Sequence, residues 1–456
     1  MNDPYSVLGV SPNASDEEID KAFQPNTKAV FGETIANPAL TVLDISRFAD
    51  IAHRHGAFSR IEGDRIALFL DESYSFICAL YACLSEGKTA VLLGSPQSAV
   101  KNQTSLFDAA VTNEEPDDPR FHAFQSLFQA PAKEIAPVSE NAHILLYTSG
   151  STGEPKAIVK TVAQMDVEAA VTTEMFGSAL KGTVLAGCVN PAHLYGLTFA
   201  VWLPMTLGIP LFGERLSSQE EFLRVPEPVS AVTTPTFLRY LDDALDAVRA
   251  HFVLSAGGKL EPEAVTKARR FFGCPISEIY GSTEAGVVGV RRHEQESIEP
   301  SWHFCPGISL LSENDTGTVI RTPLTPSGVF TLEDRLAFAK DGSFTLLGRR
   351  DCIIKIGEER ISLDEVNQII RKRLGFSARS LAITRGNQTR IGVVVEDPNG
   401  TQFDRTKTAS YVQTLRGYLP TPALPRFWRV VTRFPVNDRG KLDRKHMEAL
   451  FDATDC

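Results

Sequence analysis

Residues 147–156 read Tyr-Thr-Ser-Gly-Ser-Thr-Gly-Glu-Pro-Lys, and these types point to the holding of a polyphosphate. Gly150 and Gly153 free the backbone to approach a ligand closely. Ser149, Ser151 and Thr152 supply hydroxyl donors, and Lys156 ends the run with a positive charge. Backbone N–H groups, hydroxyls and one ammonium are what a chain of phosphates requires. The run is not a Walker A loop, because the Gly-x-x-x-x-Gly-Lys-[Ser/Thr] spacing is absent. A flexible surface turn has the same composition, so the reading depends on its company.

Further motifs follow downstream. Leu254-Ser255-Ala256-Gly257-Gly258-Lys259-Leu260 places paired glycines after an apolar run, where a flat ring can lie against the backbone. Tyr280-Gly281-Ser282-Thr283-Glu284-Ala285-Gly286 offers an aromatic face, a hydroxyl and one carboxylate. Asp334, Gly348-Arg349-Arg350-Asp351 and Gly357-Glu358-Glu359-Arg360 form a third group. Asp438-Arg439-Gly440-Lys441-Leu442-Asp443-Arg444 stands near the C-terminus.

In this order the motifs resemble the adenylate-forming superfamily of acyl-CoA synthetases, peptide-synthetase adenylation domains and luciferases, over roughly residues 60–450. The resemblance implies roles for each. Thr148, Ser149, Gly150, Ser151, Thr152, Gly153 and Lys156 would hold the β- and γ-phosphates of ATP. Gly257, Gly258 and Tyr280 would sandwich adenine, and Thr283 would bond the α-phosphate. Glu284 would ligate Mg²⁺, an ion that takes one or two carboxylates with phosphate oxygens and water. Asp334 would accept from the ribose hydroxyls and Arg349 would donate to them, although Leu332-Glu333 replaces the usual Thr-Gly or Ser-Gly before the aspartate. Arg360 matches the spacing of the family's phosphate-contacting arginine. Lys441 would stabilise charge as the acid attacks phosphorus. Asp351 falls at the family hinge, and an ordinary interdomain acid is the competing reading. Arg350 and Arg444 read as surface charges.

The same resemblance bears on the substrates. Asn190-Pro191-Ala192-His193-Leu194-Tyr195-Gly196 stands at the acyl-pocket motif. Relatives that activate α-amino acids carry an aspartate near this point, whereas this chain has His193. An aryl or fatty acid is therefore expected, with His193 in the pocket or in the core; Trp202 and Phe199 line the pocket or the core. The acceptor is CoA or the phosphopantetheine of a carrier protein, which present the same thiol. A small carboxylic acid and an acyl carrier protein are the expected partners.

These residues need a scaffold. Ile144-Leu145-Leu146 reads as a buried strand ahead of the first loop. Residues 64–70 and 89–93 read as strands, 73–85 as a helix, and strand and helix alternate onward. Residues 112–140 read as a surface connection, Asp341-Gly342 as a hairpin turn and 365–374 as an amphipathic helix. The fold class is α/β, with a large domain of layered sheets and helices at 58–350 and a small mobile α+β domain at 351–456. Residues 1–57 are atypical. Residues 3–22 resemble the start of a J-domain, without its His-Pro-Asp tripeptide. Residues 27–57 resemble a piece of the PLP-dependent O-acetylhomoserine sulfhydrylase family, without the anchors of a PLP site. A fusion, an artificial chimera and chance similarity all produce such a segment. It supports an alternative to the enzyme, an impaired ligase body acting as a scaffold or co-chaperone-like fusion.

Length and composition set the frame. The chain has 456 residues, a net charge of −10 and seven scattered cysteines. Its acidity argues against a general nucleic-acid binder, and no run is long enough for a membrane span. The polar N-terminus and unpaired cysteine spacing fit a cytoplasmic protein with reduced thiols.

Overall fold

The computed structural model describes residues 58–94, 105–113, 118–127, 138–149, 155–295, 299–314, 317–349, 353–356, 359–385, 388–436 and 442–452. They fall into two compact units. One holds the residues up to Ser309 with Thr322–Val329, and the other holds Leu310–Arg321 with those from Phe330 onward.

In the first unit, short apolar runs become strands buried on both faces, the pattern of a parallel sheet between helical layers. β1 (Arg65–Phe69), β2 (Thr89–Leu92), β3 (Ala109–Thr112), β4 (Phe121–Ala123), β5 (His143–Ser149) and β6 (Pro155–Thr161) build one sheet. Its order is β4-β3-β1-β2-β5-β6. All neighbours run parallel except β5 and β6. Helix α1 (Ser73–Ser85) crosses from β1 to β2 and buries most of its length, including Cys78 and Cys83. Strand β4 lies within the stretch expected to be a surface connection. It pairs with β3 and extends the sheet by its three residues Phe121–Ala123. So short a strand carries no periodicity that a sequence reading could detect.

Helix α2 (Val162–Leu180) opens with a capping box between Thr161 and Gln164 and leads into the second sheet. That sheet contains β7 (Val184–Gly187), β8 (Leu211–Arg215), β9 (Val229–Thr233), β10 (Ala250–Ser255), β11 (Ile276–Ser282), β12 (Gly286–His293) and β13 (His303–Phe304). Its order is β13-β12-β11-β10-β9-β7-β8. Helix α3 (Pro262–Phe272) joins β10 to β11, and Phe271 and Phe272 pack with Phe222, Ala231 and Val253. Phe199 and Trp202 sit in the core of this unit. Trp202 donates from its indole to Asp166 at 2.7 Å, and Phe199 packs against Phe176 and Tyr195.

In the second unit, β14 (Ser309–Asn314), β15 (Gly317–Arg321) and β16 (Val329–Leu332) form a small sheet, whose end residues Ser309 and Val329 are assigned to the first unit. β17 (Asp334–Phe338) and β18 (Phe344–Arg349) form the hairpin expected around Asp341-Gly342, where Gly342 has φ +82°. The Asp341 carboxylate closes that turn by accepting from the Ser343 N–H and hydroxyl. β19 (Ile353–Ile356) pairs with β20 (Glu359–Ser362). Helix α4 (Leu363–Leu374) begins two residues before the expected start, because Ser362 caps it by accepting from the Glu365 N–H. It packs over β21 (Ser377–Arg385), β22 (Gln388–Glu396) and β23 (Phe427–Val431), through Val366, Ile370, Ile391 and Val393. The mixed α/β class expected from the alternating pattern is the class observed.

Candidate active site

The polyphosphate run begins on β5 and resumes on β6. Thr148 lies opposite Lys156, and Ser149 opposite Pro155, in an antiparallel pair. This register brings both ends of the run to one place. Gly150, Ser151, Thr152 and Gly153 lie outside the described residues.

Lys156 reaches out of that pair to Glu284, donating from Nζ to Oε1 at 3.1 Å. Glu284 stands in the short link between β11 and β12, beside the half-buried Thr283. Burial opposes its ionisation. The Lys156 hydrogen bond and charge, with donors from its own main chain and Ser282, outweigh burial and hold the carboxyl below its ordinary value. Among the described residues, no three His, Cys, Asp or Glu side chains gather as a metal cage. An anionic carboxylate beside a lysine fits Mg²⁺ bound with a polyphosphate, whose oxygens and water would complete the ion's shell.

Gly257-Gly258 follow the carboxyl end of β10, and Tyr280 stands near the carboxyl end of β11, its parallel neighbour. Ligands of open α/β sheets bind at those ends. Gly257 has φ +95°, and among the described residues no atom lies within 4 Å of where its side chain would start. Gly258 meets only Pro235 there, at 3.9 Å. Both peptides therefore face open space. Tyr280 is half-buried and sits opposite Gly289 of β12, with the Trp302 ring edge-on at 5.9 Å.

A buried charge network stands behind this slot. Glu278, 1% exposed, accepts from Arg291 Nε at 2.7 Å, from the Leu260 N–H at 3.0 Å and pairs with His293 Nε2 at 2.9 Å. Arg291 lies over the Trp302 ring at 4.5 Å. One carboxylate thus ties the end of the glycine loop to the strands that carry Tyr280.

His193 is half-buried at the start of a short helical turn that passes into a π-helical stretch, Leu197–Trp202. Its ring lies so close to Gly94, at φ +61°, that a side chain at 94 would run into it.

In the second unit, Asp334 and Arg349 are direct partners across the β17–β18 hairpin. The two expected ribose contacts share one rung of that ladder. Arg360 of β20 pairs with Lys355 of β19. Asp351 and Lys441 lie outside the described residues.

Sequence reasoning did not single out Lys160 and Glu168. Lys160 donates from Nζ to the main-chain oxygen of Glu284 at 3.1 Å, and Glu168 accepts from the Val287 N–H at 3.2 Å. The available signal was strand parity, since Lys160 shares a face with Lys156.

Comparison with known proteins follows the same lines. The AMP-binding enzyme family matches residues 95–308. The Cys/Met metabolism PLP-dependent enzyme family matches residues 7–65, overlapping the segment read as sulfhydrylase-like. Curated relatives include 4-coumarate–CoA ligase of Halorhodospira halophila, 26% identical over 68% of this chain and 78% of that protein. 3,4-Dihydroxybenzoate–[aryl-carrier protein] ligase of Bacillus anthracis is 22% identical over 86% of this chain and 92% of that protein. Apicidin F synthase of Gibberella fujikuroi is 25% identical over 66% of this chain, which spans 7% of its length. O-succinylbenzoate coenzyme A synthetase of Bacillus subtilis, in complex with AMP, shares the fold with a TM-score of 0.73 at 19% identity, over 89% of this chain and 92% of that one. No described helix is long and apolar enough to cross a membrane.

Proposed function

We infer, for a chain that belongs to the adenylate-forming, AMP-binding enzyme family, an ATP-dependent acid–thiol ligase. In the first step a carboxylate oxygen attacks the α-phosphorus of ATP. A P–O bond forms, the bond to the bridging oxygen breaks, and pyrophosphate leaves with that electron pair. In the second step a thiol sulfur attacks the acyl carbon, AMP leaves and the thiol proton passes to solvent.

The observation that carries this reading is the Lys156–Glu284 contact at 3.1 Å. It joins the loop that would hold the β- and γ-phosphates to the carboxylate that would hold Mg²⁺. The ion supplies charge neutralisation between the phosphates. Lys156 and the hydroxyls of Thr148, Ser149, Ser151 and Thr152 then orient pyrophosphate as the leaving group. Gly257, Gly258 and Tyr280 grip the adenine ring, Thr283 donates to the α-phosphate, and Asp334 with Arg349 binds the ribose. Arg360 contacts phosphate. Lys441 donates to the oxygens that gain charge during attack and leaves the site for the thiol step. Asp351 is the hinge of that movement, and residues 351–456 move as the lid on residues 58–350.

The acid is aryl or fatty, with His193 at its pocket instead of an acid that would pair an ammonium group. The similarity to coumarate and dihydroxybenzoate ligases supports the aryl choice. The acceptor is the thiol of CoA or of a carrier protein's phosphopantetheine. Supplying benzoate-type and fatty acids with ATP, and each thiol in turn, tests this directly. AMP release matched by thioester is expected from an aryl acid with one of the two thiols. AMP release with neither thioester would contradict the second step.

A further inference from the structure

Strand β6 breaks the alternation that its position calls for. A strand at the edge of a sheet normally buries apolar residues and exposes polar ones. Here Val159 is 50% exposed, while Lys160 is 2% exposed and lies opposite the fully buried Ile144. Burying an ammonium carries a large desolvation penalty. A second buried charge, Glu168 of α2, is also 2% exposed. Burial works against ionisation of both groups, and their mutual attraction opposes it. Both act on one short segment. Lys160 holds the Glu284 carbonyl oxygen, and Glu168 holds the Val287 N–H. Gly286, at φ +74°, lies between them, where a side chain would meet Leu324 and the Glu168 carboxylate. Ser282 Oγ accepts from the Ala285 N–H inside the same turn. The segment is thereby gripped on both sides of Gly286, and the Glu284 carboxylate is left to face Lys156.

We propose that Lys160 and Glu168 are positioning residues that clamp the Glu284 segment from below, setting the place at which its carboxylate meets the Mg²⁺ of bound Mg·ATP. This rests on the reading of Glu284 as the metal ligand. Neither residue touches the nucleotide. Lys160 acts on the main chain of the proposed metal ligand Glu284 and Glu168 on that of Val287 three residues on, as outer-shell partners act on the ligands of other metal sites.

The test measures binding, not turnover. ATP affinity is titrated calorimetrically with increasing Mg²⁺, and without it, in wild type, Lys160→Met, Lys160→Met/Glu168→Leu and Glu284→Gln. Melting temperatures are recorded beside them. The double variant removes both buried charges together, a replacement that folds tolerate well. It decides the matter if the single variant does not fold. Lys160→Met and the double variant are expected to need about tenfold more Mg²⁺ for half-saturation, the size of an outer-shell effect. Metal-free ATP affinity stays within about twofold of wild type, because the phosphate loop is untouched. A change in melting temperature with unaltered Mg²⁺ dependence would overturn the clamp. Unaltered Mg²⁺ dependence in Glu284→Gln would instead overturn the metal-ligand reading on which the clamp rests.

Discussion

Lys156 and Glu284 meet at 3.1 Å although 128 residues separate them in the chain. One ends the glycine- and hydroxyl-rich run, and the other lies in the link that follows Tyr280. Neither residue is unusual alone, since exposed ion pairs contribute little. Their significance lies in what each brings with it. The meeting sets the end of the proposed phosphate-binding run beside the proposed metal-binding carboxylate, in the unit that also holds Tyr280.

In the proposed site, replacing Lys156 would remove both a phosphate donor and the cation whose hydrogen bond and charge lower the Glu284 carboxyl. Lys156→Met is expected to slow adenylation by about a hundredfold, the usual effect of losing one preorganised donor. The pH dependence should move as well. Glu284 now titrates below its ordinary value, so it is competent above that value and fails as pH falls. In Lys156→Met burial is left with fewer opponents, and the acid limb of kcat/KM for ATP moves to higher pH. A pH–rate profile checks this, and an unmoved acid limb would show that Lys156 does not set the carboxyl.

Among the described residues Gly258 meets only Pro235, at 3.9 Å, so a larger residue there should fill the proposed nucleotide slot without disturbing packing. Gly258→Val is expected to raise the KM for ATP by about tenfold or more, roughly the loss of one stacking contact with the ring. Its melting temperature should match wild type, measured by differential scanning fluorimetry. A loss of stability with unchanged KM would mean that the space is not the adenine site.

Lys441 is assigned to the first half-reaction only. Lys441→Ala should cripple formation of acyl-AMP while leaving thioester formation from supplied acyl-AMP close to wild type. Single-turnover assays of the two steps separate these outcomes. Equal loss in both would refute the assignment and the swinging lid with it.

Arg65 and Asp108 make a local prediction about stability. The Arg65 hydrogen bond, together with main-chain donors from Arg65 and Asp64, outweighs burial and lowers the Asp108 carboxyl to about 2. Its folded value lies below its unfolded one. The stabilisation is therefore present above about pH 4 and lost as pH falls through about 2. The pair is 40% and 34% exposed, so solvent screening limits it to about 1 kcal/mol. Asp108→Asn should lower the urea midpoint near pH 7, and the gap to wild type should narrow towards about pH 3. A gap that does not depend on pH would assign the effect to packing against Gly63.

The runs that hold Lys156 and Glu284 stand out in the sequence because phosphate and ring binding would demand particular residue types in short runs, and the structure brings these two side chains together. Ile144–Leu146 announced β5, Asp341-Gly342 announced the hairpin that sets Asp334 opposite Arg349, and Ser362 explains the early start of α4. Lys160 was not legible, because a lysine in a strand is ordinarily read as solvated. Its burial depends on Glu168 and on the Glu284 carbonyl, which only tertiary structure brings near. Glu278 was hidden for a similar reason, since its partners Arg291 and His293 come from the next strand. Phe121–Ala123 was too short to show a period, and pairing with β3 makes it a strand.

We propose that this site transfers adenylate to a carboxylic acid. ATP–pyrophosphate exchange over a panel of aryl and fatty acids tests it most directly. Exchange is expected to depend on an added acid, to be strongest with an aryl acid, and to be lost in Glu284→Gln. Folded protein that exchanges with none of these acids would contradict it.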